Sequence, residues 1–203
     1  EELEKYVAEQ QEKSGRYRID RYLTANVFPV KQGEVLAYTG ETGIGVPHLH
    51  FEMRDAQNRP FNPLLKGYPV EDAVAPILTG LAVLPLGYGS RVNDDFRPVR
   101  YTLQKTGRNS YRVDEIFTFE GAVGLALKGY DITNEGSNRF HVYRIELSID
   151  GKPHFSIQYD KFSYGQNKFV QLERNLRLER QGFGRYIHLF SDPMNTLNFY
   201  RAF

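Results

Sequence analysis

The chain has 203 residues, enough for one large domain or two small ones, and carries 26 basic and 25 acidic side chains. A formal net charge of +1 gives no electrostatic argument for nucleic acid or an anionic membrane as a partner. The absence of cysteine excludes disulfides and thiolate metal sites, and the sequence has no apolar run of the ~18 residues that a membrane-spanning helix needs.

The first predicted element is an amphipathic surface helix over residues 1–13. Leu3, Tyr6 and Val7 have the i, i+3, i+4 spacing of one helical face. Gly15 follows as a C-terminal stop, because glycine readily adopts the left-handed conformation that ends many helices.

Two strands are predicted next, over 34–39 and 47–54, the first after a turn at 31–33. Because side chains alternate across a strand, the second strand has a polar face and an apolar face. The polar face carries His48, His50 and Glu52, and the apolar face carries Leu49, Phe51 and Met53. Two imidazoles on one face, preceded by a Gly-rich loop, provide half of a zinc site.

The two histidines belong to a longer motif that runs from Gly40 through the pair Thr42-Gly43 and the run Pro47-His-Leu-His-Phe-Glu52 to Asn62-Pro63. Together with the hairpin-like run 28–37, it resembles the C-terminal signature of the lysostaphin-type (LytM-like) zinc endopeptidases. The resemblance is close over 27–65 and looser over 3–22. Val46 departs from it, since the family commonly has glycine before this proline.

The resemblance implies a role for each residue of the motif. His50 is the zinc ligand, and His48 is the catalytic histidine that binds or polarises the zinc-bound water or the oxyanion. Thr42 and Gly43 border the substrate groove. Glu52 either orients an imidazole as a hydrogen-bond acceptor or is a plain surface carboxylate. The implied activity is zinc-dependent hydrolysis of peptide bonds in bacterial peptidoglycan cross-links, with the peptide stems as partners.

The family's other zinc ligands, a His and an Asp, and a further catalytic His lie upstream of this motif, and no His precedes His48 here. One hypothesis places the missing ligands before Glu1, so we expect zinc only if they are present. The alternative is a catalytically inactive LytM-like binding, regulatory or scaffold module in an envelope complex, with envelope proteins as partners. Both place the chain in the bacterial cell envelope, periplasmic or extracellular.

The predicted architecture is mainly β. Residues 1–66 form the C-terminal half of a LytM-like sheet domain with its N-terminal helix, and 67–76 form a Pro- and Gly-containing linker. Residues 77–203 form an accessory antiparallel β-sandwich of immunoglobulin-like type. Its strands are predicted over 77–86, 99–104, 111–119, 122–131, 141–149, 154–159, 185–190 and 197–203, and 167–178 is ambiguous between strand and helix. Asp150-Gly151 is a hairpin signal, since Asp-Gly tolerates the positive φ angles of a tight turn.

The remaining candidates have structural interpretations. His141, His154 and His188 each stand alone on predicted strands and are expected to be surface or core residues. Arg174, Arg177 and Arg180 share an i, i+3, i+6 spacing that predicts a solvated face if the segment is helical. The sequence contains no serine-nucleophile elbow, phosphate loop or dinucleotide fingerprint.

Overall fold

The computed structural model describes residues 2–41, 45–134, 136 and 138–202, and it is mainly β with several antiparallel sheets. The chain divides into two compact units, Glu1–Phe51 and Glu52–Phe203. The predicted assignment of 1–66, 67–76 and 77–203 to two domains and a linker stays a prediction.

The first unit begins with helix α1, Glu2–Ser14, as the apolar spacing predicts. Gly15 ends it with a φ of +62°. The aromatic rings of Tyr6, on this helix, and Phe28 pack edge to face, with their centroids 5.6 Å apart. The predicted turn at 31–33 is present, since the backbone N–H of Glu34 donates to the carbonyl of Lys31 at 3.1 Å.

The described part of the first unit contains no strand. The predicted strand over 34–39 is therefore wrong, and only Met53–Arg54 of the predicted strand over 47–54 forms one. A strand needs a neighbour to satisfy its backbone N–H and C=O groups, and alternation in one segment cannot supply that neighbour. The apolar side chains of these segments are exposed as a result, with Val35 at 72% and Leu49 at 80%.

The second unit opens with a small hairpin of strands β1 (Met53–Arg54) and β2 (Pro60–Phe61). A 3₁₀ helix follows over Pro63–Lys66, capped by the Asn62 side chain, which accepts from the N–H of Leu64 at 3.1 Å. The backbone of this region bonds to a later segment: the N–H of Asn62 donates to the carbonyl of Asp160 at 2.8 Å. The hairpin is thus part of the second unit's hydrogen-bond network.

Eleven further strands follow among the described residues, many of them two residues long. They are β3 (Ile77–Pro85), β4 (Arg91–Val92), β5 (Val99–Thr102), β6 (Gln104–Lys105), β7 (Tyr111–Arg112), β8 (Phe119–Glu120), β9 (Val123–Tyr130), β10 (Arg144–Ile149), β11 (Lys152–Gln158), β12 (Ile187–His188) and β13 (Tyr200–Ala202). Between β11 and β12 lie a 3₁₀ helix, Tyr164–Glu173, and helix α2, Leu176–Arg180. The ambiguous segment 167–178 is therefore mostly helical, and the predicted strand over 111–119 is reduced to its two ends.

The main sheets of the second unit are antiparallel. A four-stranded sheet has the order β12-β9-β3-β5, and a three-stranded sheet has the order β10-β11-β13. Smaller pairs are β1-β2, β4-β8 and β6-β7. In the long β3–β9 pairing, the register shifts between Leu78 and Gly80, which makes Thr79 the extra residue of a β-bulge.

The two larger sheets pack on each other through an apolar core. That core contains Ile145, Phe155, Ile157, Ile187 and Leu189. The opposite face of the four-stranded sheet packs against α2 through Ala82, Leu84, Ala126, Leu178 and Tyr186. Burying one large side chain such as Ile157, which is 0% exposed, stabilises the fold by ~1.5–3 kcal/mol.

Candidate functional site

His48 is exposed, and its Nδ1 lies 2.7 Å from the carbonyl oxygen of Val46. A carbonyl only accepts hydrogen bonds, so Nδ1 carries the hydrogen, and in the neutral ring Nε2 presents its lone pair. A backbone carbonyl that fixes the tautomer in this way is a common support for a histidine that binds a metal or accepts a proton. The geometry suits either role for Nε2.

His50 is also exposed. The two histidines lie in a segment without strand structure, so the alternation that predicted a shared polar face is not imposed by a sheet. Thr42 and Gly43, the predicted groove residues, lie outside the described residues. The predicted roles of His48, His50, Thr42 and Gly43 stay predictions.

Glu52 is held by partners in the second unit. Its Oε1 forms an ion pair with Nε of Arg54, and its Oε2 accepts a hydrogen bond from the hydroxyl of Tyr164 at 2.6 Å. The Arg54 guanidinium also donates to the Tyr164 oxygen at 3.0 Å and lies over that ring, 5.0 Å from its centroid. The hydrogen bond to Glu52 raises the pKa of Tyr164 above its usual value. These contacts fix the orientation of the carboxylate.

Within residues 2–41, 45–134, 136 and 138–202, the structure has no group of three or more His, Asp or Glu side chains placed to hold a metal ion. A catalytic zinc ordinarily takes three protein ligands and keeps one position open for water. The described side chains thus fit at most a partial zinc site at His48 and His50. The expectation of zinc remains conditional on further ligands.

A buried polar cluster in the second unit was not predicted from the sequence. Glu173, only 7% exposed, accepts the hydroxyl hydrogen of Tyr159 and lies 3.6 Å from Nε2 of His141. The edge of the His141 ring meets the Tyr159 ring at a centroid distance of 4.6 Å. Burial, together with the neighbouring Glu173 carboxylate, raises the pKa values of Tyr159 and Tyr200.

This cluster supports the fold, because its hydrogen bond ties Tyr159, just beyond β11, to the end of the second 3₁₀ helix. Of the other histidines, His154 is exposed, and His188 packs against Phe190 with ring centroids 4.7 Å apart. Burial lowers the pKa of His188, whose Nδ1 lies 3.1 Å from the Leu172 carbonyl oxygen. Both match the expectation of surface or core histidines. The cluster around Glu173 had no signal in the sequence, because Glu173 lies in the segment 167–178, whose predicted structure was ambiguous between strand and helix.

No family model matches the chain, and comparison with curated proteins and with solved structures finds no match either. No helix among the described residues is long and apolar enough to cross a membrane.

Proposed function

We propose that the chain carries the histidine half of a lysostaphin-type zinc site and acts in zinc-dependent hydrolysis of peptide bonds in bacterial peptidoglycan. The observation that carries the proposal is the run from Pro47 to Glu52, with its lead-in glycines and the trailing Asn62-Pro63. In this proposal His50 would hold zinc, and His48 would bind or polarise the attacking water or the oxyanion. When bound, zinc activates water and polarises the scissile carbonyl.

Two features of the first unit support this proposal. Both imidazoles are exposed, so a metal and a substrate can reach them. The apolar side chains between and beside them are also exposed, with Leu49 at 80% and Phe51 at 53%. Such side chains would be buried if a neighbouring sheet completed the unit. The proposal therefore requires a neighbouring sheet and further zinc ligands from outside the described residues.

The corresponding fold proposal has two parts. Residues 1–66 correspond to the C-terminal half of a LytM-like peptidase domain, and the packed sheets of the second unit form an immunoglobulin-like sandwich. The place of action is the bacterial cell envelope, periplasmic or extracellular. The peptide stems of peptidoglycan are the substrate, and envelope proteins are the further partners.

The second candidate is an inactive LytM-like module that binds or regulates other envelope proteins. It is favoured by one observation: the described residues bring no third metal-binding side chain to the histidines. Such a module needs no metal, so it would keep its partner binding after treatment with a chelator.

The deciding experiment measures peptide release from purified peptidoglycan, with and without zinc. It uses the chain and, in parallel, the chain extended by any residues that its gene encodes before Glu1. His50→Ala should abolish zinc binding and turnover, whereas His48→Ala should keep zinc but lose most activity. His154→Ala is the matched control, because His154 is an exposed histidine of the second unit.

If the extended protein neither binds zinc nor releases peptides, the enzyme proposal fails and the binding-module candidate replaces it. Full activity of His50→Ala would show that the ligand is assigned to the wrong residue.

A further inference from the structure

A cleft of about 510 Å³ lies between strand β5 and helix α2 of the second unit. Arg97, Arg100 and Arg177 line it together with Asp95, and the apolar side chains of Leu178 and Phe183 form part of its wall. Its volume falls within the ~300–1,000 Å³ typical of small-molecule sites. None of these residues belongs to the histidine motif.

Arg100 is held in a defined orientation within the cleft. Its guanidinium carbon lies 3.3 Å from the centroid of the Phe183 ring, in a cation–π contact. Phe183 itself packs against the core formed by Ala82, Leu84, Ala126, Leu178 and Tyr186. A planar guanidinium that rests on a packed ring keeps its N–H groups directed outward with little loss of entropy when a ligand binds.

The carboxylate of Asp95, which lines the cleft, and that of Glu179, on helix α2, both have arginine partners other than Arg100 and Arg177. Asp95 pairs with Arg97, with Nη2 and Oδ2 2.8 Å apart, and this pairing lowers the pKa of Asp95 and raises that of Arg97. Glu179 of α2 pairs with two further arginines, Arg174 at 2.8 Å and Arg185 at 3.3 Å. Asp95 and Glu179 are therefore paired with arginines other than Arg100 and Arg177.

Arg100 and Arg177 form no ion pair with any residue that the structure describes. Three guanidiniums and one carboxylate therefore line the cleft, which leaves an excess of two positive charges. The whole chain has a formal net charge of only +1, so this excess is a local concentration of charge. A concave surface of one sign attracts ligands of the opposite sign.

We propose that this cleft binds an oxyanion, a carboxylate or phosphate group of a small ligand, through Arg100 and Arg177. Guanidinium groups match the geometry of both oxyanions and bind them by charge-assisted hydrogen bonds. The apolar part of the ligand packs against Leu178 and Phe183. The proposal is independent of zinc and of the histidine motif.

The test is an NMR titration of the full chain with two probes, inorganic phosphate and N-acetylalanine, at constant ionic strength. We expect saturable shifts of the backbone amides around 95–100 and 177–183. Arg100→Gln and Arg177→Gln should each weaken binding about tenfold, which corresponds to ~1.4 kcal/mol, through the loss of a charge-assisted hydrogen bond. The probe that binds more tightly identifies the ligand as a phosphate or a carboxylate, and either result supports the proposal.

Arg139→Gln is the matched control, because Arg139 also stacks on an aromatic ring, that of Tyr130 at 4.3 Å, but does not line the cleft. It should leave the affinity unchanged. If Arg100→Gln disturbs the fold, the exposed Arg177 tests the same site without that complication. Absence of saturable binding by both probes would overturn the proposal. The proposal would also be overturned if Arg100→Gln and Arg177→Gln bound the probes as tightly as the control variant Arg139→Gln.

Discussion

The hydroxyl of Tyr164 donates a hydrogen bond of 2.6 Å to the carboxylate of Glu52, although 112 positions separate the two residues in sequence. The acidic residue that ends the histidine motif is thereby tied to the beginning of a 3₁₀ helix in the second unit. The sequence presents Glu52 as a neighbour of His50 on one strand face. The structure shows that its carboxylate has partners of its own, Arg54 and Tyr164.

We expect that the isolated chain does not retain zinc tightly. The described residues offer no third ligand to join His48 and His50, and water would fill most of the coordination positions. Metal analysis after extensive dialysis should find well under one zinc per chain. A stoichiometric zinc that survives dialysis, and that His50→Ala removes, would reveal an unrecognised ligand.

The second unit should fold without the first. A fragment of residues 74–203 is expected to unfold cooperatively in urea with a β-type circular dichroism spectrum. A fragment of residues 52–203 should be more stable by roughly 1–3 kcal/mol, because it keeps several backbone hydrogen bonds of about 0.5–1.5 kcal/mol each. Those bonds include Asn62 N–H to Asp160 and Phe162 N–H to Pro60. Equal stability of the two fragments would show that the β1–β2 hairpin contributes nothing.

Stability should fall steeply at alkaline pH. The folded state raises the pKa of Tyr159 above the ordinary value of 10.0, so folding favours the protonated phenol. This contribution is complete below about pH 10 and is lost as the pH rises further, because the unfolded tyrosine then ionises. Urea titrations between pH 8 and 11 should show the loss, and Tyr159→Phe should reduce its slope. Tyr111→Phe serves as a control outside the cluster.

Tyr159→Phe should also lower the free energy of unfolding at neutral pH, by about 1–3 kcal/mol, because it leaves the buried Glu173 carboxylate without its hydroxyl donor. The double variant Tyr159→Phe with Glu173→Gln should lose less than the sum of the two single variants, since the two groups interact directly. Strict additivity in this cycle would contradict the hydrogen bond.

The burial of His188 should make the fold less stable at acidic pH. Burial lowers its folded pKa below the ordinary 6.5, so the unfolded state binds a proton that the folded state does not. Stability should therefore decrease as the pH falls below about 6.5. Proton NMR should show that His188 titrates below the ordinary 6.5. The acid slope of stability should be smaller in His188→Leu than in the parent chain. A His188 signal that titrates at or above 6.5 would argue against its burial.

Gly129→Ala should destabilise the second unit. An added Cβ would lie 2.8 Å from a methyl group of Leu78 and 2.9 Å from the backbone oxygen of Ile77, which cannot rotate away. Overpacking of this kind costs about 1–3 kcal/mol. Gly107→Ala is the control, because its Cβ would make only ordinary contacts with Ser110 at 3.6 Å. Similar melting temperatures for both variants would mean that the strands shift easily.

Sequence patterns predicted the elements whose signal is local. The Asp-Gly pair at 150–151 forms the tight turn between β10 and β11, with φ angles of +51° and +76°, because these residues tolerate the left-handed region. Helix α1 follows its own apolar spacing, and the long strands β3 and β9 are rich in apolar residues.

Features that depend on contacts between residues far apart in the chain could not be predicted from the sequence. The run 34–39 contains the apolar residues typical of a strand, but no partner strand pairs with it among the described residues. The buried environment of Glu173 arises from Tyr159 and His141, whose proximity depends on how the sheets pack. The arginine spacing at 174, 177 and 180 predicted a solvated face. Arg177 and Arg180 are exposed, whereas Arg174 is half-buried and pairs with Glu179.

The bulge at Thr79 changes how the beginning of β3 must be counted. Odd and even positions exchange their facing there: Leu78 pairs with Gly129, and Gly80 already pairs with Lys128. Leu78 therefore lies on the opposite face from Ala82 and Leu84, although strict alternation would place all three on the α2 side of the sheet. Deleting Thr79 would restore strict alternation without changing the register beyond it. An alignment of β3 with a strand that lacks this bulge therefore needs a one-residue gap opposite Thr79.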